Sequence, residues 1–262
     1  MVVILAAIAF GIAIGMAIGA LGGGGSVIAV PILVYVLGQD VHEATTASLI
    51  VVTAGAVAGG LGHARDGNVC WRHAGAFAAA ALPGVVAGTA LGDAVGGNTL
   101  LVAFAFVMLG AAAATWLKVG AERRPDDADP ACPPVRVGRN LAAGLAVGLL
   151  TGFFGVGGGF LVVPTLAIAL ALSMRLAVGT SLAIITATSV MGLVAHLLAG
   201  RGLDLGVTGA MTAACVVGAV AGSSMAIRVP ERRLGRGFAS LVTVLAIYLL
   251  VSAAFFGGPP AP

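Results

Sequence analysis

Charge is the scarcest commodity in this chain of 262 residues: only 9% are Asp, Glu, Lys or Arg, against about 25% in soluble domains. That scarcity excludes a water-soluble globular protein. Aromatics are few, with ten Phe, two Trp and two Tyr, and no basic surface interleaves with them, so no nucleic-acid partner is expected. The three cysteines, Cys70, Cys132 and Cys215, form no CxxC pair. Their odd count and spacing match neither a zinc nor a disulfide framework, so free thiols and no metal are expected. No HExxH, buried Ser/His/Asp set or intramembrane Asp pair supports an intramembrane enzyme. The acids Asp40, Glu43, Asp66, Asp93, Asp204 and Glu231 all fall in predicted loops, which argues against a carboxylate proton relay or a sodium site of charged ligands. The first twenty residues carry no Lys or Arg, so they lack the n-region of a signal peptide and read as retained.

What is present is apolar mass: 60% hydrophobic residues, a mean hydropathy of +1.11 and 41 glycines. Ala, Val, Leu and Ile dominate, and with so many glycines they favour close helix packing. A transmembrane helix needs about 20 predominantly apolar residues. Uncharged stretches run 2–38, 44–62, 74–92, 99–117, 140–172, 176–199, 205–227 and 237–258. The stretches 2–38 and 140–172 are too long for one crossing, and both carry glycine clusters near their centres; each is expected to be a broken helix or hairpin. Residues 121–136, with their charges and four prolines, read as a linker.

The halves repeat. Shifting by 133 residues aligns Gly19–Leu33 with Gly152–Leu166 at seven identities in fifteen, and pairs Ser48 with Ser181, Thr53 with Thr186 and His63 with His196. One further residue pairs Gly84 with Gly218, Gly88 with Gly222 and Phe104 with Phe238. The chain is an internal duplication. If both long stretches are hairpins, all but Arg201 of the thirteen Lys and Arg fall on one face, which the positive-inside rule makes cytoplasmic. The loop at 38–43 is then external and its counterpart at 173–175 internal. The expected architecture is therefore an all-α polytopic membrane protein of two inverted-topology repeats, each a glycine-broken hairpin plus three transmembrane helices, with eight to ten membrane segments in all. The first repeat covers 1–118, a cytoplasmic linker 119–138 and the inverted repeat 139–262. Such a protein sits in the inner or plasma membrane with both termini external.

The segment Gly152-Phe-Phe-Gly-Val-Gly-Gly-Gly-Phe-Leu-Val-Val-Pro164, followed by Ala177-Val-Gly-Thr-Ser-Leu-Ala183, resembles the motif of the TauE/SafE sulfite exporter family, the sulfite, sulfonate and organic anion permeases. A degenerate copy stands at Gly19–Pro31, followed by Thr45-Thr-Ala-Ser-Leu49. The resemblance spans essentially the whole chain. It implies movement of small anions, often sulfur oxyanions or sulfonates, without a tightly bound cofactor.

Glycines inside a membrane helix leave backbone N–H groups unpaired, and the half-helix that follows adds the positive end of its dipole, so each break is a candidate anion cradle. The candidate substrate-binding residues are Gly22, Gly24, Gly25, Ser26 and Ser48 in the first half, and Gly155, Gly157, Gly158, Gly159, Thr180 and Ser181 in the second. Close helix crossing is the competing explanation for the glycines, and backbone bonding the competing one for the hydroxyls. Pro31 and Pro164, six residues past Gly25 and Gly158, are candidate hinges. His63 and His196 are candidates for proton coupling, with interfacial capping as the alternative. The expected partners are a small anion, the lipid bilayer, H+ as coupling ion and, compatibly, further copies of the chain. The leading function is a secondary transporter working by alternating access; an anion channel, a transporter of another small metabolite and a non-transporting scaffold are the alternatives.

Overall fold

The computed structural model describes residues 2–39, 41–92, 97–121, 132–154, 159–198 and 205–256. Among these the chain is helical and holds no strand, as the bilayer demands of backbone groups that lipid cannot satisfy. Helix α1 (Val2–Leu21) ends in a single 3-10 turn, Gly22–Gly25; α2 (Ser26–Pro31) and a π-helical turn, Ile32–Val36, form a returning arm. Then come α3 (Val41–Arg65), α4 (Trp71–Gly92) and α5 (Gly97–Ala121). The second half holds α6 (Val137–Phe154), α7 (Gly159–Ile168), α8 (Met174–Leu198), α9 (Leu205–Arg228) and α10 (Glu231–Phe256). Among the described residues seven helical segments are long and apolar enough to cross a membrane, with shorter apolar stretches at Val102–Lys118 and Gly159–Ile168. This is an all-α polytopic membrane protein.

The apolar segment Val3–Val34 runs for 32 residues, yet it is not one crossing. A Cβ built on Gly25 would lie 2.8 Å from the carbonyl oxygen of Ile14, whereas eleven residues of continuous helix span about 16 Å. The chain therefore doubles back, and Gly22 makes the turn with a left-handed φ of +73°, a conformation only glycine adopts without strain. In the second half residues 155–158 lie outside the described residues, and α6 and α7 flank them.

The returning arms close in the same way. Leu37 N donates to Ile32 O (3.1 Å) and Gln39 N to Leu33 O (3.0 Å) in the first half; Leu170 N donates to Thr165 O (3.3 Å) and Leu172 N to Leu166 O (3.2 Å) in the second. Gly38 and Ala171, at matching positions, both have positive φ, +68° and +57°. Lys118 of α5 caps the second arm, donating to the carbonyls of Ala167 and Leu172, where a cation meets the negative end of α7.

Two glycine seams hold the bundle together. Gly11, Gly15 and Gly19 of α1 lie so close to α9 that a Cβ on each would fall under 3.0 Å from the carbonyl oxygens of Met211, Cys215 and Ala219 in turn. Gly144, Gly148 and Gly152 of α6 meet Phe77, Ala81 and Val85 of α4 in the same way. In both seams the numbers rise together, so the paired helices are parallel, and close backbone approach replaces side-chain interdigitation. The pairing of α1 with α9 is that of α6 with α4 with the halves exchanged; α5 packs on α10 and α3 on α8. Helices α3 and α8 run antiparallel, with Gly60 opposite Leu182 and Gly192 opposite Leu49.

The cysteines depart from the expectation of free thiols. Cys70 and Cys132 form a disulfide with Cα atoms 5.8 Å apart, and Cys215 alone is free and buried. The parallel α4–α6 pairing brings the residues just before both helices to one end of the bundle, a juxtaposition that spacing along the chain does not reveal. His73 reinforces it, bonding Asn140 Oδ1 at 3.1 Å and the Pro133 carbonyl at 3.0 Å.

Candidate functional site

The first glycine break does not end in open space; it meets the start of α7. A Cβ on Gly23 would lie 2.5 Å from the Gly159 Cα and closer still to its carbonyl group, and a Cβ on Gly159 would lie 3.0 Å from the Gly23 Cα. The two breaks touch backbone to backbone. Ser26, buried beside them, donates from Oγ to the Gly23 carbonyl at 2.7 Å, and its Oγ would stand 2.8 Å from a Cβ on Gly159. Ser181 of α8 closes the other side, since a Cβ on Gly22 would lie 2.5 Å from its Oγ. Gly22, Gly23, Ser26, Gly159 and Ser181 therefore form one constellation from both halves, and the N-terminal, positive end of α7 opens directly into it.

The other candidates have different neighbours. Gly24 faces α10, with Leu241 and Phe238 at 3.2 and 3.6 Å from a built Cβ, and Gly25 packs back onto α1. Thr180 accepts a hydrogen bond from the Cys70 N–H at 3.0 Å, which ties α8 to the segment before α4 rather than to the break. Ser48 is buried on α3 and donates to the Thr45 carbonyl at 2.8 Å. Pro31 stands immediately before the π-helical turn and Pro164 lies within α7, where each removes a backbone donor. Gly155, Gly157 and Gly158 lie outside the described residues. His196 falls near the end of α8, and its side chain is likewise outside them.

His63 is fully buried near the end of α3, its Nε2 2.9 Å from the Gly19 carbonyl three residues before the break. A carbonyl only accepts, so Nε2 carries the hydrogen, and Nδ1 has no hydrogen-bond partner. One ring nitrogen of His63 thus stands without a partner beside the glycine break.

The hydroxyls do not offer protons to a ligand in this state. Ser26, Ser48, Ser181 and Thr186 each donate to a carbonyl of their own chain three or four residues earlier, and only lone pairs remain to face outward. Among the described residues no group of three or more His, Cys, Asp or Glu could hold a metal ion.

Two features escaped the sequence reading. Gly23 aligns with Val156 in the repeat, so nothing marks it as the residue that touches the opposite break. The seam glycines do carry a signal in the sequence: Gly11, Gly15 and Gly19 recur as Gly144, Gly148 and Gly152 at the 133-residue shift.

A family model described as "Sulfite exporter TauE/SafE" matches residues 7–249. A "Probable membrane transporter protein" of Xylella fastidiosa (strain 9a5c) is 33% identical over 245 residues, covering 90% of this chain and 91% of that one. The "Probable membrane transporter protein YunE" of Bacillus subtilis (strain 168) is 28% identical over 202 residues, covering 69% and 73%. No solved structure matches. A glycine-seamed helical bundle with broken helices meeting inside it, and relatives of this description, define a multi-pass membrane transporter. The chain belongs to the TauE/SafE sulfite exporter family.

Proposed function

We propose that the protein is a secondary transporter of a small anion, a sulfur oxyanion, sulfonate or related organic acid, which binds where the two glycine breaks meet. The halves 1–118 and 139–262 act as inverted repeats that rock about this crossing to expose it alternately to either side. The observation that carries the reading is the contact of Gly23 with Gly159. It joins two interrupted helices within a bundle whose matching helices α3 and α8 run in opposite directions, the relation expected of an axis in the membrane plane. Irregular backbone at membrane depth is tolerated only where it is buried in protein or lines a cavity, and a backbone cradle without fixed charge binds an anion weakly enough to release it.

In this reading the protein lies in the inner or plasma membrane with its termini external and residues 119–138 cytoplasmic. Pro31 and Pro164 serve as hinges, and His63, whose Nδ1 has no hydrogen-bond partner and whose Nε2 meets the Gly19 carbonyl, takes up the coupling proton. Proteoliposomes carrying the protein are expected to accumulate labelled sulfite, thiosulfate, sulfoacetate or taurine. Flux far above about 10³ per second would identify a channel instead. Reporter fusions after Gly67 and Ala121 should read cytoplasmic and those after Gly38 and Gly97 external; a cytoplasmic signal at Gly38 would overturn the inverted arrangement.

A further inference from the structure

Beside the second break, between α4, α6, α7 and α8, lies a cavity of about 20 Å³ whose walls include Thr151, Thr188, Gly159, Phe77, Ala81 and Ile184. That is room for one water or one oxygen of a larger group. At the shifts that relate the two halves, Thr151 corresponds to Ile18, Thr188 to Gly55 and Ala81 to Cys215. The matching place beside the first break is filled. A Cβ on Gly55 would lie 2.7 Å from the Cys215 Sγ and 3.4 Å from the Ile18 Cδ1, and both side chains are fully buried there. Where the place beside the first break holds a thiol and a branched alkyl group, the place beside the second holds a methyl group and two hydroxyls.

We propose that the anion site is one-sided: an oxygen of the substrate's oxyanion group enters this cavity and is held by Thr151 and Thr188 beside Gly159, while the matching place beside the first break forms no second site. The inference rests on the anion-transport reading and narrows it to the surroundings of the second break. Thr151 donates to the Val147 carbonyl at 2.7 Å, and Thr188 shares its hydrogen between the carbonyls of Ile184 and Ile185 at 3.1 and 3.2 Å. Turning either hydroxyl to an anion gives up one neutral hydrogen bond and gains a charge-assisted one, which is roughly twice as strong. The longer, divided bonds make Thr188 the readier donor.

Cys215 supplies an internal control, because it is the free thiol and occupies the filled place. Reconstituted wild type, Thr151→Cys and Thr188→Cys are treated with sulfonatoethyl methanethiosulfonate, a small sulfonate-bearing thiol reagent, and adducts are counted by intact mass. The expected result is one adduct on each variant, none on wild type, and at least tenfold slower labelling in excess sulfoacetate. Unlabelled variants, labelled Cys215, or labelling that sulfoacetate, taurine and sulfate all leave unchanged would each overturn the proposal. Should a cysteine variant misfold, sulfoacetate binding to Thr188→Val is expected to weaken about tenfold while Thr188→Ser stays within twofold of wild type; equal binding by Thr188→Val and wild type would also overturn it. Slowed labelling in a protein that carries none of these anions would sink the transport reading and leave the pocket standing.

Discussion

The Gly23→Ala substitution adds one carbon where the two breaks cross. Its Cβ would lie 2.5 Å from the Gly159 Cα and nearer still to the carbonyl carbon and oxygen, whereas carbon atoms pack best at about 3.5–4.0 Å. The carbonyl carbon, at 2.0 Å, sets the demand: relief requires the two backbones to part by roughly 1.5–2 Å, since no rotamer can move a main-chain atom aside. Overpacking a core costs about 1–3 kcal/mol, and an obstacle made of backbone belongs at the upper end. A loss of ~3 kcal/mol lowers the melting temperature by roughly 6–12 °C in a chain of this size. Gly24→Ala is the control, because its Cβ meets only the flexible ends of Leu241 and Phe238 at 3.2 and 3.6 Å. Unfolding in detergent can be read with a maleimide fluorophore that reacts when Cys215, buried and free, becomes exposed. The two variants should separate clearly, with Gly24→Ala near wild type and Gly23→Ala well below it. Equal melting temperatures would refute a backbone crossing at Gly23.

Ala171 holds φ +57° where its counterpart Gly38 holds +68°, so Ala171→Gly relieves about 1 kcal/mol of left-handed strain and should raise the melting temperature by a few degrees; a lower value would contradict the assigned turn. Cys70→Ser opens a loop of 62 residues, which costs at most about 4 kcal/mol by loss of chain restraint, and dithiothreitol should lower the melting temperature of wild type but not of the variant. Lys118→Met leaves the Ala167 and Leu172 carbonyls without this donor, a loss of about 1–3 kcal/mol to be seen in the same melt. His63→Gln keeps a donor for the Gly19 carbonyl but removes the titrating ring, so its uptake rate should become flat between about pH 6 and 8; a wild-type pH profile would remove His63 from coupling.

Helix number and placement were legible because apolar stretches bounded by charge are a length measurement, and the duplication was legible because Gly19–Leu33 repeats at a fixed shift. The breaks were legible as excess length, but their partners were not. Four consecutive glycines look alike in sequence, yet Gly22 turns the chain, Gly23 meets Gly159, Gly24 faces α10 and Gly25 returns to α1, differences set by helical phase around a turn that the sequence does not specify. Exchange of partners between halves, α1 with α9 and α4 with α6, was hidden for the same reason, although glycines every fourth residue marked the seams. The disulfide follows from that exchange: Cys70 and Cys132 become neighbours only once α4 and α6 are known to run parallel.

A cysteine pair across the crossing tests the central claim most directly. A Cβ on Gly159 would stand 2.8 Å from the Ser26 Oγ, within reach of a disulfide. Ser26→Cys with Gly159→Cys, in a Cys70→Ser and Cys132→Ser background with a protease site inserted in residues 122–131, should hold the halves together on a non-reducing gel after cleavage. Oxidation should stop labelled sulfoacetate flux and reduction restore it; separate halves after oxidation, or a cross-linked protein that transports at the reduced rate, would contradict the account.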